Sequence, residues 1–109
     1  MIVATMDYVP GKKVKEILGI ATGNVVKTKN IGRDIMAGLK NLAGGEIGEY
    51  VELLKDSRDE ALTRMIKNAE ELGADAIINV RLATSSVMQG AAELLAYGTA
   101  VKLENEKWT

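Results

Sequence analysis

Two stretches of helical periodicity stand next to each other in the middle of this sequence, with strand-like stretches on either side of the pair. Ile31, Ile35, Leu39 and Leu42 recur at spacings of four, four and three, one apolar stripe on a helix. Asn30 is suited to cap its start, and Gly44-Gly45 to end it without a Cβ penalty. A second helix is predicted from about Gly48 to Leu72, with Leu54, Ala61, Leu62, Met65, Ala69 and Leu72 as its buried stripe and Gly73 as its stop. Glu60 precedes Arg64 by four residues, the favourable order for a pair on a helix surface. Ser57-x-x-Glu60 also fits a capping box, so a restart near Asp56 is an alternative.

The flanks alternate. Ile2, Ala4 and Met6 interleave with Val3 and Thr5 as a short strand, and Val9-Pro10-Gly11 signals a turn. Lys15 to Thr28 reads as extended chain interrupted by Gly19 and Gly23, positions for a bulge or a close backbone approach. One long strand bent at Gly23-Asn24 and two short strands are equally compatible with it. Asp75 to Thr84 sets Ile78, Val80 and Leu82 on one face and Asn79 and Arg81 on the other. Leu94 to Glu104 sets Leu95, Tyr97, Thr99, Val101 and Leu103 opposite Ala96, Gly98 and Ala100. That small-residue face is expected to receive the second helix at short range. Ser85 to Glu93 lacks a period and reads as a mobile loop or a wide hairpin connection. The order β-β-α-α-β-β, helices grouped together, specifies an α+β fold: an antiparallel or mixed sheet with two helices on one face.

At 109 residues with 47% hydrophobic and 27% charged side chains, this is a single domain's worth of ordinary chain. The expected domain covers residues 1–104, with a polar tail over 105–109 in which Trp108 packs on a neighbouring surface or stacks on a ligand. The absence of Cys and His removes disulfides, thiolate and imidazole metal sites, cysteine nucleophiles and the usual neutral-pH proton carrier. The first residues carry no signal-peptide pattern, and no apolar run is long enough to span a bilayer, so a cytoplasmic protein without a membrane partner is expected.

A net charge of −1 argues against nucleic acid as the main partner. The charge is nevertheless uneven: residues 11–40 carry a net +5 and residues 46–73 a net −4. Segments of opposite sign suit a head-to-tail contact between copies, and equally suit a solvated surface. Asn30, Arg33 and Asp34 fall in the first turn of a predicted helix, where free N–H groups favour an anion, and Lys27 and Lys29 add charge nearby. Lys27, Lys29, Asn30, Arg33 and Asp34 are therefore the candidate site for a small anionic ligand. The alternative makes Asn30 a plain cap and pairs Arg33 with Asp34 or a neighbouring subunit. Gly19-x-x-x-Gly23 lacks the Gly-Lys-Ser/Thr of a phosphate loop. Glu46, Glu49 and Glu52 lack a calcium-loop pattern and read as a solvated acidic helix start.

Five segments in order, Ile17-Leu18-Gly19-Ile20-Ala21-Thr22-Gly23, Asn30-Ile31-Gly32-Arg33-Asp34-Ile35-Met36-Ala37-Gly38-Leu39, Gly44-Gly45, Ala69-x-x-Leu72-Gly73-Ala74-Asp75-Ala76-Ile77-Ile78 and Tyr97-Gly98-Thr99-Ala100-Val101, resemble the YbjQ-like family of small uncharacterised proteins. The resemblance implies an α+β subunit related to the dodecin-like fold, assembled as a ring-shaped homo-oligomer, a pentamer. The family also carries a heavy-metal-binding label. That label fits this chain poorly, because soft metals want thiolate or imidazole and only thioethers and carboxylates are present. Met36 and Met65 moreover fall on predicted core faces. The expectation is a non-enzymatic homo-oligomeric module without a cofactor, with a metal-binding or metal-responsive protein and an enzyme of unknown reaction as alternatives.

Overall fold

The computed structural model describes residues 1–27, 46–88 and 91–106. Within them the order is β1 (Ile2–Val3), β2 (Lys12–Lys27), α1 (Glu46–Glu71), β3 (Ala76–Met88) and β4 (Ala91–Asn105). The strands form one sheet in the order β1-β3-β4-β2. β1 runs parallel to β3, and β3–β4 and β4–β2 are antiparallel. The sheet is thus mixed and the fold α+β, as the grouping of helical and strand-like stretches requires. One helix, not two, stands among the described residues. The stretch predicted as the first helix, from Asn30 to Leu42, lies outside them.

The strands are long. At about 3.3 Å per residue, the 16 residues of β2 extend over roughly 50 Å, which agrees with principal extents of 64 × 25 × 16 Å. β3 and β4 continue to Met88 and Ala91, so most of the predicted Ser85–Glu93 loop is hairpin strand. β2 is continuous. Gly19 takes φ +135° where the register against β4 shifts between Ile17 and Gly19, whereas Gly23 lies in regular pairing with Ala96. The irregularity falls at Gly19, then, and not at Gly23-Asn24.

α1 is unbroken through Asp56 and stops at Gly73, whose φ of +80° suits a residue without Cβ. Ser57, Ala61, Met65 and Ala69, four residues apart, make its buried line, while Leu54 and Leu72 are exposed at 51% and 39%. The predicted stripe holds in the middle and fails at the ends. The reason is the smallness of the central residues. A Cβ on Gly23 would stand 2.2 Å from the Ala61 carbonyl oxygen and 2.3 Å from the Met65 nitrogen, so helix backbone lies directly on strand backbone at this crossing.

The sheet buries apolar side chains on both faces. Under α1 lie Ala21, Val25, Ile77, Val80, Leu94, Ala96 and Ala100, packed with Ala61, Met65 and Ala69. On the opposite face Ala76, Ile78 and Val101 pack with Val9 and Leu103. Ile78 and Val80 therefore do not share a face. Asn79 takes φ +54°, and the β3–β4 register shifts between Ile78 and Arg81, so two residues of β3 stand opposite Gly98. This bulge reverses the alternation expected for β3.

The bulge also explains Gly98. Ala96 and Ala100 do lie on the helix side, but a Cβ on Gly98 would meet Ile77 Cγ2 at 2.7 Å and Val80 Cγ2 at 3.0 Å. The close approach to the helix expected at Gly98 occurs at Gly23. Near the termini the Glu106 N–H donates to the Gly11 carbonyl.

Candidate functional site

Of the five proposed ligand residues, the described residues include Lys27, at the end of β2. Lys29, Asn30, Arg33 and Asp34 lie outside them. The Lys27 ammonium is 3.6 Å from Glu60 Oε2, and Arg64 Nη2 donates to Glu60 Oε1 at 2.6 Å. The Glu60–Arg64 pair read from helical spacing is present, and Glu60 holds Lys27 as well. Arg64 Nη1 donates to the Asn24 carbonyl at 2.7 Å, and Asn24 Nδ2 donates to Glu93 Oε2 at 3.2 Å. One turn on, the Thr22 N–H donates to Asn68 Oδ1 at 2.9 Å.

These groups meet because α1 crosses β2 at Gly23. Asn68 and Arg64, one helical turn apart, reach over the outer edge of β2 and take backbone groups of Thr22 and Asn24. The charged side chains are roughly half exposed, where ion pairs contribute about 0–1 kcal/mol each. Their effect is to fix the position of the helix and to cover that part of the strand edge. Part of the positive charge of the N-terminal half is answered within the chain, by Glu60 for Lys27 and by Glu104 for Lys13 at 3.3 Å. Sequence reasoning found Lys27 and the Glu60–Arg64 pair separately. The Gly23 crossing joins them, and its sequence signal is a glycine in a strand opposite the small-residue line Ser57, Ala61.

Two shallow apolar hollows lie along the other flank of α1. One, of about 390 Å³, is lined by Val3, Ala4, Thr5, Leu62, Val80, Arg81 and Leu82. The second, of about 340 Å³, is lined by Leu54, Arg58, Thr84 and Leu94. No helix among the described residues is long and apolar enough to cross a membrane.

Among the described residues, a four-stranded mixed sheet under one long helix defines a small α+β domain. By sequence the chain belongs to the YbjQ family, whose model, described as "Putative heavy-metal-binding", matches residues 1–104. Its relatives include a UPF0145 protein of Archaeoglobus fulgidus, 61% identical with 94% of this chain and 95% of the relative covered. A UPF0145 protein of Thermotoga maritima is 61% identical over 95% and 98% of the two chains. One of Colwellia psychrerythraea is 55% identical over 95% and 99%. Among solved structures, a protein of unknown function from Pediococcus pentosaceus, of the DUF74 family, superposes with a TM-score of 0.64 at 18% identity, covering 95% of this chain and 98% of that one. That likeness concerns the fold alone.

This chain offers a heavy metal thioethers and carboxylates and neither thiolate nor imidazole. Soft and borderline ions select thiolate, thioether and imidazole; among the thioethers Met65 is fully buried in the core, while Met1, Met6 and Met88 are exposed at separate places on the chain. Among the described residues no three carboxylates converge on a common point.

Proposed function

We propose that this chain is the subunit of a non-enzymatic homo-oligomer of dodecin-like fold, a cytoplasmic ring with five copies as the family resemblance implies. In this reading, junctions between subunits take a small anionic ligand at Lys27, Lys29, Asn30, Arg33 and Asp34. The observation that carries it is exposed area. The isolated chain exposes 7499 Å², whereas a compact monomer of 11.7 kDa exposes about 5,900 Å². The radius of gyration is 17.8 Å, against about 13 Å for a compact chain of this length. Surface above the compact value is what burial between subunits would remove, and a standard interface takes about 800 Å² from each side. Ile17 and Ile20, exposed at 69% and 70%, belong to that excess.

Native mass spectrometry at micromolar concentration tests the assembly. A closed oligomer of about five chains is expected, and a mass of one 11.7 kDa chain overturns the proposal. A thermal-shift panel of phosphate, citrate and nucleotide anions, run beside divalent metals, tests the ligand. Stabilisation by metals alone overturns the anion assignment.

A further inference from the structure

The bulge at Asn79 turns two successive N–H groups of β3 toward the same neighbour. In a regular strand, adjacent N–H groups point to opposite sides. Here the Asn79 N–H donates to Met6 O and the Val80 N–H to Ala4 O, both at 3.0 Å. The next side chain completes the pattern, because Arg81 Nη1 donates to Thr5 O at 2.8 Å and also to Val80 O at 2.8 Å. Three consecutive carbonyls, those of Ala4, Thr5 and Met6, are thus held by three consecutive residues of β3. Just before them in the chain, the Ala4 N–H donates to Ile77 O at 2.9 Å and the Ile2 N–H to Asp75 O at 3.3 Å.

This grip is on main chain rather than on side chains. Ile2, Val3 and Met6 are exposed at 41%, 40% and 45%, and β1 itself is two residues long. Asn79 meanwhile keeps φ +54°, and left-handed backbone at a residue other than glycine marks places where the fold spends stability on recognition or switching. Without residues 2–6, the outward N–H groups of Asn79 and Val80 would stand on a bare strand edge, which pairs with whatever extended chain reaches it.

We propose that the edge formed by Asp75 and by β3 as far as Arg81 is an acceptor site for an extended peptide strand. Residues 2–6 fill it within one chain, and the same residues of a second copy fill it interchangeably. Strand addition of this kind draws its affinity from main-chain hydrogen bonds. The chain itself names the occupant: the same bonds form whichever copy supplies the segment, which is the condition for exchange of an identical element between protomers. The turn from Val9 to Lys12, closed by the Lys12 N–H on Val9 O at 3.0 Å with Gly11 at φ +77°, is the hinge about which the segment leaves. The site lies apart from Lys27 and does not depend on the ring proposed above.

The sequence contains no Cys, so an Ile2→Cys/Ala76→Cys variant reports this pairing alone, the two positions being in register. Isotope-labelled and unlabelled variant chains are unfolded, mixed, refolded together, oxidised and digested. Disulfides that join position 2 of one isotope to position 76 of the other are expected. Same-isotope links alone, at every protein concentration, overturn the exchange, and so does the absence of any link between these positions. Hydrogen exchange on the unmodified protein tests the acceptor even where the variant fails to fold. The amides of Ile2, Ala4, Asn79 and Val80 are expected to exchange together, at least about tenfold faster than the Met65 amide in the helix core. Exchange of the Asn79 and Val80 amides only on global unfolding means that the segment never leaves, and overturns the proposal. Neither readout counts subunits, so the failure of the ring and the failure of the acceptor site are told apart by native mass.

Discussion

The Ala61 carbonyl oxygen sits 2.2 Å from where a Cβ on Gly23 would be, so α1 and β2 touch through their backbones. Neither partner has a flexible side chain that can yield. Gly23→Ala is therefore expected to lift the helix off the sheet and cost at least about 3 kcal/mol, the upper end of ordinary overpacking. Chemical denaturation with an unchanged m value checks it, and a loss below 1 kcal/mol means the helix can shift.

At Gly98 the obstruction is softer: methyl groups of Ile77 and Val80 rather than main chain. Gly98→Ala is expected to cost about 1–3 kcal/mol. Ile77→Ala removes the nearest methyl and is costly alone, about 2–5 kcal/mol. The two together should lose less than the sum of the single losses, because one makes the room the other needs. Strict additivity in denaturation midpoints would place the obstruction elsewhere.

Asn79 holds the bulge at φ +54°, with its N–H on Met6 O at 3.0 Å. Left-handed backbone costs most residues roughly 1–2 kcal/mol, and Gly or Asn much less. Asn79→Gly should leave the melting temperature nearly unchanged, and Asn79→Val should lower stability by about 1–2 kcal/mol. Equal stability of the two variants would show that the bulge relaxes.

Asn68 supplies the acceptor for the Thr22 N–H. Asn68→Ala removes one hydrogen bond at a half-buried position and is expected to cost about 0.5–1.5 kcal/mol. Faster exchange at the Thr22 amide should accompany it. Unaltered exchange there would mean that water or another group already serves that N–H.

The legible parts of the fold are those where one element determines its own pattern. Gly73 stops the helix wherever the helix packs, and Glu60 meets Arg64 because a turn brings them together. Alternation identified β3 and β4, and the glycines of β2 were correctly marked as bulge or close approach. Which was which depended on a second element: Gly23 is close because the line Ser57, Ala61 and Met65 lies on it. Asn79 was assigned to a plain face because alternation assumes regular backbone, although Asn is the non-glycine residue best able to leave it. Of the candidate site, Lys27 alone can be placed. Its partner Glu60 was seen as half of a helix-surface pair, since nothing local predicts a contact across the Gly23 crossing.

The central clamp at Gly23 has a consequence for motion. α1 is 26 residues long, about 39 Å at 1.5 Å per residue, and from Leu54 onward, where its side chains are described, the buried line runs from Ser57 to Ala69. The helix is held at its waist, with Leu54 toward one end and Leu72 at the other turned to solvent. Local opening should therefore begin at the Leu72 end and proceed inward, with the amides around Ala61 and Met65 released only when the whole domain unfolds. Such a beam can bend at either end without disturbing its seat, so a neighbour pressing on the Leu54 end would change that end's dynamics and leave the strands beneath Gly23 as they are.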